Sequence, residues 1–393
     1  MSKLPLRPGS VIGILGGGQL GRMTAMAAKA MGYKVLCLDP TPNSPCGQVC
    51  DGQVVGSLGD REAAFHLARQ SDIVIYEFEN IDAAVVRALE GEHCVPQGSN
   101  ILAITQNRIL EKAHLAAHGV PLAPYRVVRS AADLSHAVAE LGLPLVLKSA
   151  LGGYDGKGQL VLRGSAEVEA ALAQVARGGE FVVEKFVELH QEVSVIIARR
   201  PGGESALFPI AENRHCQNVL HTTIVPARLS QDASQQALEL ATSIAHSLDL
   251  VGILAVEMFV TPQGLLVNEL APRPHNSGHF SFGACYTSQF EQFVRAVADL
   301  PLGGTDLLFP AVMFNILGRH QRQVYANWPL LQQKGKVHLY GKSSNADAGD
   351  GSFCNAADSL VVEAHSLRKM GHILLRSSDP EPEIAWLSGL LEK

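Results

Sequence analysis

Along the first hundred positions, short apolar runs alternate with stretches whose apolar residues recur at helical spacing. Val11-Ile12-Gly13-Ile14-Leu15 predicts a short buried strand, followed by a glycine turn and a helix from about Gln19 to Met31. A second strand runs from Lys34 to Leu38 and ends in Asp39. Asp60 is placed to cap a helix through Arg69, and Asp72-Ile73-Val74-Ile75-Tyr76 predicts another strand. Such repetition implies a parallel, doubly wound sheet. After Pro121 a second unit mixes helices with strands at Leu145 to Lys148, Gln159 to Leu162, Phe181 to Lys185 and Val193 to Ala198. Two β-type runs, Gly252 to Val260 and Leu265 to Leu270, flank Thr261-Pro262-Gln263-Gly264 and predict a hairpin, with glycine where unusual backbone angles are needed. From Pro310 on, strands at Ala311 to Leu317 and Lys336 to Tyr340 predict a small third domain. Between Lys342 and Arg368 the chain turns polar and loses its periodicity. Loops longer than about 15 residues are usually functional or mobile.

The hairpin carries the most informative pair. With the turn centred near Gln263, Glu257 and Glu269 face each other on one side of it. Facing carboxylates lie about 5 Å apart and repel unless something positive sits between them. A hard divalent cation is the natural occupant, and Mg²⁺ usually completes its shell with water and substrate phosphates. A hairpin with both glutamates pointing into water is the alternative. Asn268 beside Glu269 and the polar run Arg273-Pro274-His275-Asn276-Ser277-Gly278 favour the metal.

Two glycine-rich turns suit anions. Gly16-Gly17-Gly18-Gln19-Leu20-Gly21 satisfies G-x-G-x-x-G at a strand-to-helix turn, and Asp39 follows 18 residues after Gly21, roughly where a dinucleotide enzyme keeps its ribose-binding acid. A helix N-terminus holds any phosphate, however, so the geometry does not name the ligand. Lys148-Ser149-Ala150-Leu151-Gly152-Gly153-Tyr154-Asp155-Gly156-Lys157-Gly158 runs from a strand-end lysine into a glycine-rich loop. Backbone N–H groups and point charges there suit phosphate. With no G-K-[ST] entering a helix it is not a Walker A loop, and a flexible surface hairpin is the other reading.

Composition narrows the class. At 393 residues the chain has room for two or three domains, and 47% hydrophobic with 18% charged residues describes a soluble globular protein. A net charge of −6 argues against a general nucleic-acid or membrane-surface binder. No apolar run approaches the roughly 20 residues needed to span a bilayer, and Met1-Ser2-Lys3-Leu4-Pro5 has no signal-peptide core. Of seven scattered cysteines, Cys46 and Cys50 come nearest to ligand spacing, but no matching Cys/His pair completes a zinc site. Reduced thiols in a cytosolic protein are the economical reading.

A glycine-rich lid, a strand-end lysine and a Glu…Asn-Glu hairpin, in that order, resemble the ATP-grasp superfamily. GILGGGQLGRM, the EFEN at Glu77 to Asn80, SALGGYDGKGQ, VEKFVELHQEVSV, ENRHCQNVLHTTIVPAR, NELAPRPHNSGH and RKMGH further resemble the N5-carboxyaminoimidazole ribonucleotide synthase family, from about Val11 to His372 without a missing block. The resemblance implies an α/β chain of ATP-grasp architecture. An N-terminal Rossmann-like domain would cover 1–104, an ATP-grasp domain 105–305 with a mobile lid at about 121–188, and a small β-rich C-terminal domain 306–393. It implies a cytoplasmic, homodimeric ligase of purine biosynthesis that carboxylates 5-aminoimidazole ribonucleotide (AIR) with bicarbonate and ATP, through carboxyphosphate. ATP would be the cosubstrate and Mg²⁺ or Mn²⁺ the metal, with no NAD, biotin, nucleic acid or membrane.

The same resemblance distributes the residues. Lys148 and Arg108 fall on ATP phosphates, with Gly153, Tyr154, Asp155, Gly156, Lys157, Gly158 and Gln159 as the closing loop. Glu184, Lys185, Phe186 and Val187 form the adenine-facing strand edge, and Glu192 accepts from the ribose hydroxyls. Glu257 and Glu269 hold the metal, with Asn268 and His215 near the γ-phosphate. Tyr154, Asp155, Lys157, Arg273 and His275 act on AIR, Lys342 and Arg368 take its phosphate, and Gln19 and Glu77 at the glycine turn face the same substrate. The chain departs from the family in one place: 25 residues separate Lys342 from Arg368, where the family keeps the two segments close. This puts their pairing in question, although a long loop costs little closure entropy. Two other readings stay open: a formate- or amino-acid-dependent ATP-grasp ligase, and a nicotinamide-dependent oxidoreductase using Gly16 to Gly21 and Asp39.

Overall fold

The computed structural model describes residues 4–152, 158–342 and 367–392. Strand β1 (Val11–Leu15) is apolar because both its faces are covered, as in the middle of a parallel sheet. Together with β2 (Lys34–Asp39), β3 (Gly52–Val55) and β4 (Ile73–Tyr76) it forms an all-parallel sheet in the order β3-β2-β1-β4. Helix α1 (Gln19–Ala30) follows the glycine turn, and α2 (Arg61–Arg69) begins where the Asp60 carboxylate accepts from the Glu62 and Ala63 amides. Except for β3, where the sequence singled out no strand, these elements lie within a residue of their expected ends. Helices α3 (Ala83–Glu90) and α4 (Asn100–Gln106) lead to α5 (Arg108–Ala117), capped by Asn107.

Beyond α5, β5 (Tyr125–Val128), β6 (Leu145–Ser149), β7 (Gln159–Leu162) and β8 (Phe181–Lys185) make a small antiparallel sheet in the order β5-β8-β6-β7. Its core is filled from α6 (Ala131–Leu141) and α7 (Ser165–Ala176). The remaining strands are β9 (Gln191–Arg199), β10 (Ser205–Leu207), β11 (Ala211–Cys216), β12 (Val219–Val225), β13 (Gly252–Thr261), β14 (Gly264–Ala271), β15 (Ala311–Leu317), β16 (Lys336–Leu339) and β17 (Lys369–Arg376). They form one antiparallel sheet in the order β14-β13-β9-β11-β12-β15-β17-β16, with β10 beside β9.

Two features differ from the expected division into units. The C-terminal strands have no sheet of their own: β15 pairs with β12 and extends the central sheet. Every residue of β15 is buried, and a strand covered on both faces belongs inside a sheet. The N-terminal sheet also shares its core with the central one, where Ile12, Ile14, Val35 and Ile75 pack in one cluster with Ile196, Phe208 and Phe293. Among the described residues, no helix is long and apolar enough to cross a membrane.

Candidate active site

The β13–β14 turn is tighter than the sequence suggests. Thr261 pairs with Gly264 across a two-residue loop, and the register continues to Met258 opposite Val267. Simple alternation would then set Glu257 against Asn268. A bulge at this step leaves Asn268 as the extra residue and pairs Glu257 with Glu269. The facing carboxylates therefore form, through a bulge and not through a turn centred on Gln263. Adjacent side chains on the bulge both reach cations: Asn268 Oδ1 accepts from Lys148 Nζ at 3.3 Å, and Glu269 Oε2 accepts from Arg108 Nη1 at 3.0 Å.

Those cations come from β6 and α5. On α5, Arg108, Glu111, Lys112 and Leu115 recur at the spacing of a core-facing stripe, yet three of the four are charged. Lys112 Nζ lies 3.3 Å from the Glu184 carboxylate, both almost completely buried, and Lys148 Nζ meets the same carboxylate at 3.2 Å. Burial alone would raise the Glu184 carboxyl, but Lys148 and Lys112 hold it below its ordinary range. Glu184, expected on an adenine-facing edge, thus sends its side chain inward as the counter-ion that fixes Lys148. Lys185 likewise turns away, donating to the carbonyls of Leu141, Gly142 and Leu143 at the end of α6. Phe186 is exposed and Val187 half-buried. Gln159 pairs with Lys148 across β6 and β7, and the Gly158 carbonyl accepts from Ser149. Gly153, Tyr154, Asp155, Gly156 and Lys157 lie outside the described residues.

On the other side of the hairpin, the Ser277 amide donates to His275 Nδ1, which leaves Nε2–H for Glu257 Oε1 at 3.2 Å. Burial, with Arg273, Lys369 and His215 nearby, holds this imidazole well below its ordinary pKa. Burial and then the Glu269 charge push Glu257 up to about 7. A buried polar ladder fixes the arrangement from beneath: Ser194 Oγ donates to Ser277 Oγ at 2.7 Å, and Asn213 Nδ2 donates to Ser194 Oγ at 2.9 Å. Arg273 forks onto both oxygens of Glu79. His215 Nδ1 sits 2.7 Å from Glu192, the expected ribose acceptor, and a pocket of about 560 Å³ opens along Glu192, Arg214 and Arg228. Against the opposing effect of burial, Glu192 and Glu257 keep the His215 imidazole above its ordinary pKa. The long excursion starts and ends at one place, for Lys342 Nζ donates to the Lys369 carbonyl at 2.7 Å. The Arg368 carbonyl next to it accepts from Gly318.

At the glycine turn the structure overturns the nicotinamide reading. Glu77, buried, accepts from the Gly18 and Gly21 amides at 2.8 Å each, and Asp39 accepts from Gly17 at 2.8 Å. A Cβ on Gly16 would lie 2.7 Å from the Glu77 carboxylate, so the glycine admits a carboxylate where a dinucleotide motif admits pyrophosphate. Burial pushes Glu77 up to about 7, while the two amides pull it back. Asp39, the expected ribose acid, braces the turn instead. Gln19 opens α1 next to it, half-buried.

Sequence reasoning missed Glu79, Glu111, Lys112 and Lys369. The charge of Lys369 is felt by Glu79, His215, Glu257 and His275. The charged stripe on α5 was the available signal for Glu111 and Lys112. Glu111 makes a prediction. Burial, then the Glu269 charge, raises its carboxyl to about 8, while its Oε2 accepts from Leu270. The folded state therefore holds a proton that the unfolded chain releases near pH 4.5. The stability this gives is full below that value and is lost as pH rises through about 8. In Glu111→Gln, denaturant unfolding should lose part of the decline that the parent shows between pH 4.5 and about 8; an identical pH slope in the two proteins refutes the assignment.

A small sheet that brings a strand-end lysine to a carboxylate-bearing hairpin of a larger sheet is the arrangement of the ATP-grasp ligases. The model of the ATP-grasp domain matches residues 113–290, and that of the ribonucleotide synthetase preATP-grasp domain matches 10–106. An N5-carboxyaminoimidazole ribonucleotide synthase of Bacillus subtilis (strain 168) is 47% identical over 394 residues, covering 100% of this chain and 97% of that protein. A crystal structure of an N5-carboxyaminoimidazole ribonucleotide synthetase with ADP superposes with a TM-score of 0.91 at 47% identity over 100% of both chains. One from Aspergillus clavatus, in complex with ADP and 5-aminoimidazole ribonucleotide, gives 0.85 at 28% identity over 98% of each. The chain belongs to the N5-carboxyaminoimidazole ribonucleotide synthase family.

Proposed function

We propose that this protein carboxylates the amine of AIR with bicarbonate at the expense of ATP, in purine biosynthesis. The observation that carries the residue assignments is the bulge that sets Glu257 against Glu269 while holding Asn268 and Glu269 on Lys148 and Arg108. Bicarbonate is a poor electrophile and must be activated. Transfer of the γ-phosphoryl group to a bicarbonate oxygen releases ADP and gives carboxyphosphate. The AIR amine then attacks its carbonyl carbon, the bond to the phosphate oxygen breaks, phosphate leaves and the amine loses a proton. Phosphoryl transfer needs positioned charge more than a covalent nucleophile. Lys148 and Arg108 supply that charge, pre-set by Glu184 and Glu269. The hard oxygens of Glu257 and Glu269 fit Mg²⁺ or Mn²⁺, which when bound would neutralise charge on the β- and γ-phosphates. His275, neutral and locked by Ser277, keeps Glu257 oriented. Arg273, Lys342, Arg368 and Lys369 form the acceptor side, where AIR brings its own phosphate. Shielding by the 153–159 loop would protect carboxyphosphate from water.

The direct test is ADP release with bicarbonate, with and without AIR. Release that AIR accelerates, with one carboxylated nucleotide per ADP, is expected. A rate that answers to formate and not to AIR overturns the proposal. Within it, Lys342→Ala removes a contact to a dianionic phosphate worth roughly 1.5–3 kcal/mol. The KM for AIR should rise about tenfold to a hundredfold while that for ATP hardly moves. An unchanged AIR KM would take Lys342 out of the phosphate site.

A further inference from the structure

Cys37, Cys46 and Cys50 have no part in this chemistry, and sequence spacing related only the last two. In the turn at 44–50, the Cys50 amide donates to the Cys46 carbonyl at 3.1 Å, one helical turn that sets both thiols on the same side. Strand β2 delivers Cys37 to the same spot, so that the three sulfurs lie within 4.8 Å of one another. Cys46 and Cys50 are 3.3 Å apart. Cys37 and Cys46 are fully buried, and Cys50 is partly open to solvent.

We propose that these three cysteines bind a single thiophilic divalent cation of the zinc type, separate from the hard metal of the carboxylate hairpin. Bonds of about 2.3 Å to a common ion require sulfur separations of roughly 3.8–4.0 Å, wider than the 3.3 Å between Cys46 and Cys50 and inside the 4.8 Å that bounds all three. Shifts below an ångström close it. The partly open Cys50 side leaves room for water as a fourth ligand. Three thiolates around a dication carry one net negative charge, and a cation stands ready to balance it. The Arg22 guanidinium is fixed by the Pro45 carbonyl at 3.0 Å and by Gln48, its Nε is buried without a hydrogen-bond partner, and its charge is coupled to Cys46. The ion would fasten β2 and the 44–50 turn to the glycine turn, whose Gly17 carbonyl already accepts from the Cys46 amide at 2.9 Å. A Cys46–Cys50 disulfide is the competing use of two of the thiols. It needs an oxidant and leaves Cys37 idle, whereas the cation engages all three.

The full chain, reduced and metal-free, is titrated with Cd²⁺ and separately with Zn²⁺. The expected result is one Cd²⁺ per chain with an ultraviolet sulfur-to-cadmium charge-transfer band, and a Zn²⁺-dependent rise in unfolding temperature. Carboxylate-bound Cd²⁺ gives no such band, so the hairpin site does not interfere. Cys50→Ser, at the partly open position, should weaken Cd²⁺ binding by more than about a hundredfold, beyond the ten- to hundredfold cost of disturbing groups behind a ligand. Cys216→Ser, on the exposed end of β11, should leave it unchanged. A band that is absent from the parent, or equally strong in Cys50→Ser, overturns the proposal.

Discussion

Glu269→Gln is expected to lower ATP turnover by at least a hundredfold while the protein stays folded. The substitution keeps shape and removes charge from a group with two tasks. Its carboxylate holds Arg108 at 3.0 Å, and with Glu257 it makes the hard-oxygen pair on the hairpin. Losing one preorganised electrostatic group at a charge-developing centre typically costs 10²–10³ in rate. Glu257 should also respond, because the Glu269 charge is the largest cause after burial of its elevation to about 7. With that charge gone, Glu257 titrates lower and ionises more fully at neutral pH, yet a single carboxylate holds a divalent ion less well than two. The pattern to look for is therefore a higher Mg²⁺ requirement with a lower maximal rate. Turnover near the parental rate, with unchanged Mg²⁺ dependence, refutes the metal assignment.

Arg273→Ala is expected to cost stability as well as substrate affinity. Arg273 and Glu79 are 15% and 20% exposed, enough burial that a lone survivor is penalised. Burial works against the ionised Glu79 carboxyl, and Arg273 keeps it below its ordinary range. Removing one partner of a buried pair costs about 3–5 kcal/mol, and the opening toward the acceptor side points to the lower end, about 3. The double variant Glu79→Ala/Arg273→Ala should recover more than half of this in denaturant unfolding, since no charge is then left uncompensated. It should not recover the KM for AIR, if Arg273 itself touches that substrate. An Arg273→Ala protein as stable as the parent would show that the pair has no structural part.

What the sequence made legible was local. β1, α1, β2 and the Asp60-capped helix follow from periodicity and capping chemistry within a dozen residues, so their ends were nearly right. Glu257 and Glu269 were paired correctly on the wrong turn, since a tighter loop and a bulge together give the same partners as a looser loop without one. The residues that went unseen act over long sequence separations. Lys112 meets Glu184, and Arg273 meets Glu79 from 194 positions away. Charges on the buried stripe of α5 were a visible anomaly whose explanation lay in another sheet. The C-terminal strands were misplaced for a similar reason. Local pattern identifies a strand, whereas membership of a sheet depends on edges that only the folded chain supplies, although the unbroken apolar run of β15 already spoke for an interior place.

The filled glycine turn sets the terms for any nucleotide that competes for it. Glu77 arrives from 59 positions along the chain and is tethered to the turn by the fold itself. A tethered group acts at an effective concentration, about millimolar even on a short flexible linker and far higher when its placement is rigid. A free dinucleotide must displace a competitor that never diffuses away. The meaning of the glycine motif in this protein is thus decided by a residue outside it, and the helix N-terminus answers to its own chain before any solute.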